Sequence, residues 1–155
     1  AILDQNLKNV TDFVFTDVAV NSKNQVFSGN YAVVADENGY FLIDQKGKAC
    51  FEKRFPNAKG MEGGYYAVAD ESGQWGFADE KGELVVPCQY VDAYSFSNQT
   101  AAVQYAGKWG YINRYGNMVI DAQFSTALPF LNGKAMVQDD QENIKVLELR
   151  YFDTF

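Results

Sequence analysis

Acidic side chains are the residues of this 155-residue chain best suited to chemistry, and they recur in pairs, Asp36 with Glu37 and Asp70 with Glu71. Two carboxylates facing each other across a cleft can divide acid and base work in glycoside hydrolysis. Both pairs occupy the same place in a recurring hairpin, which makes them turn and solvent residues first. The run "QDDQEN", Gln138 to Asn143, gathers oxygens as a calcium site would. It lacks the alternation of an EF-hand loop and the Asp-rich nonapeptide of calcium-binding β-rolls. Aspartate starts a turn without any metal, so this run stands only as the best remaining calcium candidate.

The chain has no histidine. That removes the commonest general base and transition-metal ligand, and with them His-dependent triads and His-based zinc sites. Cys50 and Cys88 lie thirty-eight residues apart with no CxxC partner. Two thiols are expected there rather than a metal site, with a single disulfide as the alternative in an oxidising compartment. The expectation is therefore no enzyme, no metal and no cofactor.

Composition points to an ordered all-β domain. Hydrophobic residues make up 47% and aromatic residues 15%, with ten Tyr and twelve Phe, and aromatics favour strands. Net charge is −7 and the basic residues are scattered singly, so nucleic acid and anionic lipid are poor partners. No apolar run approaches the roughly 20 residues of a membrane span. The start "AILDQNLKNV" has neither Met nor a basic segment leading an apolar one, as a processed mature protein or an excised piece would begin.

What positions these residues is a repeat. Trp75 and Trp109, Gly76 and Gly110, Gly82 and Gly116, Tyr90 and Phe124, Ala93 and Ala127, and Phe96 and Phe130 all share an offset of 34. An earlier copy precedes by 35, with Tyr40 in the Trp place and Phe41 in the Gly place; a later one loses the pair at Asn143 and Ile144. The expected organisation is a single repeat domain: a cap over 1–29, a degenerate repeat over 30–64, repeats over 65–99 and 100–133, and a partial repeat over 134–155. Each copy reads as a three-stranded antiparallel meander with a connecting arm, the copies stacking into a short open array; propeller-like blades are the alternative.

The turns carry their own signal. Asp36 and Gly39, Asp44 and Gly47, Asp70 and Gly73, Asp79 and Gly82, and Asn113 and Gly116 each place Asp or Asn three before Gly, as a type I turn closing into a Gly bulge requires.

The segments "GQWGFADEKGELVVPCQYVDAYSF" and "GKWGYINRYGNMVIDAQFSTALPF" resemble WG repeats, a bacterial β-repeat also called the KWG repeat. The second matches that pattern at Gly107 to Ile112, Gly116, Val119, Ile120, Phe124, Ala127 and Phe130. The resemblance implies a non-enzymatic scaffold, often in exported or surface proteins, and brings no catalytic residue. An extracellular, periplasmic or cell-surface location is expected on that basis.

Repetition also separates fold from function, because a position held in every copy serves the fold. Trp75, Gly76, Gly82, Trp109, Gly110 and Gly116 are therefore structural anchors. Tyr65, aligned with Asn30 and Thr100, Tyr94, aligned with Lys59 and Leu128, Tyr115, aligned with Lys46 and Lys81, and Tyr105, at a hairpin tip, are not shared. Tyrosine offers contact area and a hydroxyl at low entropic cost, which makes these four the candidate ligand contacts. The expected partner is a protein held by a binding or scaffolding module, with a carbohydrate or cell-wall glycan as the alternative.

Overall fold

A computed structural model describes residues 15–21 and 24–148, which form four antiparallel sheets and no helix. The first sheet holds β1 (Asp17–Val18), β2 (Phe27–Ser28), β3 (Tyr31–Asp36) and β4 (Gly39–Asp44); β1 and β2 share one edge of β3 and β4 takes the other. The second runs β5 (Asn57–Ala58), β6 (Tyr66–Ala69), β7 (Trp75–Ala78), β8 (Leu84–Tyr90). The third runs β9 (Asp92–Ala93), β10 (Thr100–Tyr105), β11 (Lys108–Asn113), β12 (Met118–Phe124). The fourth is β13 (Thr126–Ala127), β14 (Lys134–Gln138), β15 (Ile144–Glu148). The sheets stand side by side in an open array, as the repeat implies.

One feature of the expected unit changes. The connecting arm is not merely a connection: its Asn57–Ala58, Asp92–Ala93 and Thr126–Ala127 pair with the next sheet, so the meander gains a short first strand. Two residues are too few to show a period-2 pattern, which is why the strand hides in the sequence.

Both faces of the inner sheets are buried. In β6, Tyr66 and Val68 join Val33, Leu42 and Phe55 between the first and second sheets, while Ala67 faces Phe77, Phe96 and Val103 between the second and third. In β10, Ala101 and Val103 face back and Ala102 faces forward, onto Tyr111, Phe130 and Val137. The arm locks each interface by laying an aromatic ring on the preceding sheet: Phe96 lies 4.6 Å from Phe77, and Phe130 lies 4.8 Å from Tyr111. Each such ring contributes about 2–3 kcal/mol through apolar burial.

The Trp–Gly pair has a specific cause. Trp75 pairs with Tyr90 and Phe77 with Val86, so β8 bulges by two residues over Gly76; β12 does the same over Gly110. A Cβ at Gly76 would stand 2.5 Å from the Val86 carbonyl oxygen, and one at Gly110 would stand 2.6 Å from that of Ile120. The glycine thus admits the bulged strand's backbone, and the tryptophan covers the sheet beside it. Phe41 occupies this place in the first sheet, and there the backbone of the following chain pairs with β4 through the isolated bridges Tyr40–Phe55 and Ile43–Ala49 in place of a continuous strand. Arg54 lies over the Phe41 ring at 3.5 Å and pairs with Asp36 at 3.1 Å.

Four of the five expected turns form as read, with the Gly47, Gly73, Gly82 and Gly116 N–H groups donating to the carbonyls of Asp44, Asp70, Asp79 and Asn113. The fifth is tighter, because Gly39 pairs directly with Asp36. The calcium candidate Gln138–Asn143 is a sixth turn of the same kind: Glu142 takes the glycine place at φ 65°, and Asp139 Oδ1 accepts the Gln141 and Asn143 N–H groups at 2.9 Å. Phe15 and Phe27 cover the outer face of the first sheet over Ala32, Val34, Phe41 and Ile43. Of the expected cap and partial repeat, residues 1–14, 22–23 and 149–155 lie outside the described residues.

Candidate functional site

The short strands β2, β5, β9 and β13 lead into β3, β6, β10 and β14 through tight hairpins at one end of the array. Glu62 bridges Tyr65, Ser97 bridges Thr100, and Leu131 bridges Lys134, leaving two-residue tips at Gly63–Gly64, Asn98–Gln99 and Asn132–Gly133. Every tip residue has positive φ, between 52° and 84°, the mark of a type I′ turn. Asn98 Oδ1 accepts the Gly133 N–H at 2.9 Å, linking the tip of the third sheet to that of the fourth. The turn from β11 to β12 lies at this same end, since Asn113 pairs with Thr100.

These elements enclose a cavity of about 410 Å³ lined by the three tips, Phe96, Tyr65 and Arg114. Tyr65 packs on Phe96 at 5.6 Å. Arg114 lies 5.4 Å from the Tyr115 ring and donates from Nη2 to its hydroxyl at 3.3 Å. That hydrogen bond, with the Tyr115 and Tyr65 hydroxyls nearby, raises the Arg114 pKa. Arg54, Lys59, Lys108 and Lys145 each pair with an aspartate, whereas no carboxylate pairs with Arg114 among the described residues.

Two of the four candidate tyrosines, Tyr65 and Tyr115, therefore meet around Arg114. Their register sharpens the comparison between copies: Tyr65 follows its tip as Tyr31 follows Gly29 and Asn30, so its counterpart is Tyr31 rather than Asn30. Tyr115 is 63% exposed in a turn where the other copies carry Lys46 and Lys81. Arg114 escaped the reading of the sequence, which followed aromatic residues alone. Its signal was present, because the same turn position holds Gln45 and Glu80 in the other copies.

Tyr94 lies elsewhere, half-buried on the arm, 5.3 Å from the Trp109 ring. Lys59 Nζ sits 5.3 Å from Tyr94 and 4.9 Å from Trp75, and is held by Asp92 and the Ala93 carbonyl. Tyr94 and Lys59, with Asp17, Tyr40, Ser95 and Pro129, line a groove of about 400 Å³ along the arms. The Tyr40 hydroxyl donates to Asp17 there at 2.5 Å, holding that carboxyl below its ordinary pKa. Tyr105 ends β10 at the far end from the tips, 6.3 Å from Tyr90 and 52% exposed. Trp109 is 9% exposed, and Trp75 is half-buried against the core between the second and third sheets.

The Asp36, Asp44, Asp70, Asp79 and Asp139 side chains accept backbone N–H groups of their own turns. Cys50 and Cys88 are separate free thiols, and burial raises the pKa of both. Among the described residues, no three His, Cys, Asp or Glu side chains gather where a metal could be held, and no helix is long and apolar enough to cross a membrane.

Comparison with known proteins agrees with this architecture. The family described as WG containing repeat matches at residues 75–109 and 109–142. No curated protein matches the chain in sequence. The computationally designed Ika4 protein superposes with a TM-score of 0.54 at 12% identity, over 90% of this chain and 94% of that one. Hsv2 of Kluyveromyces lactis gives 0.52 at 14% identity, over 88% of this chain and 46% of Hsv2. BamB from Moraxella catarrhalis gives 0.50 at 13% identity, over 81% of this chain and 43% of BamB. Hsv2 and BamB are propeller-like, and the chain spans about half the length of each. At such identities the likeness is one of fold.

Proposed function

Residues 75–142 are two tandem WG repeats, and from that premise we propose that the protein is a non-enzymatic binding or scaffolding module of an exported bacterial protein, holding a protein partner at the tip end of its array. One observation carries the reading: a concave surface lined by the tips of three successive units holds Tyr65 and Arg114, with Tyr115 bonded to Arg114 beside it, and Arg114 and Tyr115 have no like residue in the other copies. Tyrosine and arginine are the side chains that most often dominate a protein interface. The rigid sheets behind them mean little ordering is required on binding. The missing histidine and the turn-bound aspartates support a non-catalytic role.

A selection from a random peptide library displayed on phage tests this without a known partner. Peptides enriched on the wild-type chain should fail on a Tyr65→Ala, Arg114→Gln, Tyr115→Ala triple variant that unfolds at the same temperature. Enriched peptides that bind both proteins equally would contradict the proposal.

A second reading, glycan binding, is favoured by the groove on the arms, where the half-exposed Tyr94 ring lies between Trp109 and Lys59. Sugar rings stack on such faces while side-chain polar groups hold their hydroxyls. A glycan array probed with the wild type and Tyr94→Ala should then show signals that the variant loses; an array with no signal would remove this reading.

A further inference from the structure

The chemistry around the tip cavity selects among partners. We propose that the cavity binds an acidic peptide segment, with Arg114 holding a carboxylate and with Leu131 and the Tyr65 ring holding an apolar side chain beside it. This rests on the tip end being the binding face. Arg114 presents a planar fork of donors, of which one hydrogen bond goes to Tyr115 Oη. The fork matches the two oxygens of a carboxylate.

The neighbouring tips add donors. Ser97 and Thr100 bond each other's backbone across their turn, leaving the Asn98 and Gln99 N–H groups out of the ladder. The Oδ1 of Asn98 is taken by Gly133, which leaves its Nδ2 group to donate. Among the described residues that line the cavity Glu62 alone is acidic, and it is not without a partner. Leu131 is 66% exposed at the rim, and the Tyr65 ring stands on Phe96. The cavity therefore offers positive charge and donors next to an apolar shelf.

The rest of the molecule narrows the choice of anion. A net charge of −7 repels polyanions and dianions more strongly than a single carboxylate, and an apolar neighbour gains from the shelf where inorganic phosphate gains nothing. The fit is to a lone Glu or Asp flanked by an apolar residue.

The test titrates the full 155-residue chain, labelled with ¹⁵N, with acetyl-Leu-Glu-Leu-amide, its Gln counterpart acetyl-Leu-Gln-Leu-amide, and inorganic phosphate. The Glu peptide should shift the Arg114 Nε–H and the Asn98 and Gln99 amides saturably, and bind about tenfold or more tighter than the Gln peptide, as a charge-assisted pair would provide. Arg114→Gln should abolish that preference while leaving the rest of the spectrum in place. Equal binding of the two peptides at the tip amides would overturn the acidic ligand while leaving the tips as the binding face. Preferential binding of phosphate, or shifts confined to other sites, would also overturn it. Absence of tip-dependent peptides from the phage selection would separately remove the underlying function.

Discussion

Asn98 Oδ1 accepts the Gly133 backbone N–H at 2.9 Å, so the tip of the third sheet is fastened to the tip of the fourth. Asn98 itself sits at φ 52°, a conformation asparagine and glycine tolerate better than other residues. Asn98→Gly keeps the conformation and removes the bond, and should cost about 1 kcal/mol in urea unfolding. Asn98→Ala adds left-handed strain and should cost more than Asn98→Gly. Equal stability of the two variants would show that the backbone conformation is not held as described.

Gly76 and Gly110 admit the bulged backbone of β8 and β12, and alanine at either place brings Cβ to about van der Waals overlap with a carbonyl oxygen. Backbone cannot retreat as a flexible side chain can. Gly76→Ala should therefore destabilise by about 2–3 kcal/mol, the range of an overpacked core. An unchanged denaturation midpoint would contradict the bulge.

The buried Tyr66 hydroxyl has no hydrogen-bond partner among the described residues, and burial raises its pKa far above the ordinary value. Its ring packs edge-on against Phe55 at 6.2 Å. Tyr66→Phe keeps the ring and removes an unsatisfied polar atom, so it should raise stability by about 1 kcal/mol. A lower melting temperature would reveal a bound water or another partner for the hydroxyl.

Asp36 shows how acid should act. Desolvation raises its pKa, but the Arg54 and backbone hydrogen bonds outweigh it and leave the folded value below the ordinary 3.8. A carboxyl with a lowered folded pKa contributes stability above its unfolded pKa and loses it as pH falls through the folded one. Asp36→Asn should thus be less stable than wild type at pH 7, and the difference should close as pH drops below 3.8. A difference that is constant down to acid unfolding would mean that the Arg54 pair contributes nothing.

The period of 34–35 residues and the Asp-to-Gly turns were legible because each repeats, and repetition distinguishes signal from chance within one chain. Tyr40 and Phe41 likewise marked where the first sheet departs, and the loosely bridged chain at Ala49 and Phe55 is the result. The two-residue first strands were hidden because pairing of Asn57–Ala58 depends on β6, not on their own pattern. The grouping of Tyr65 with Tyr115 was hidden for a different reason. It comes from the stacking of units, which brings residues fifty apart in sequence to one end. Arg114 needed charge, as well as aromaticity, to be compared across the copies.

The central claim is that binding resides at the tips, and one comparison tests it directly. A peptide recovered by selection on the wild type would be titrated calorimetrically into the wild type, Arg114→Gln and Tyr105→Ala. Tyr105 lies at the opposite end of β10 from Thr100 and the tips. The account predicts about a tenfold or greater loss of affinity at Arg114 and none at Tyr105, as the loss of a charge-assisted contact would give. Full affinity in Arg114→Gln, or an equal loss in Tyr105→Ala, would contradict it.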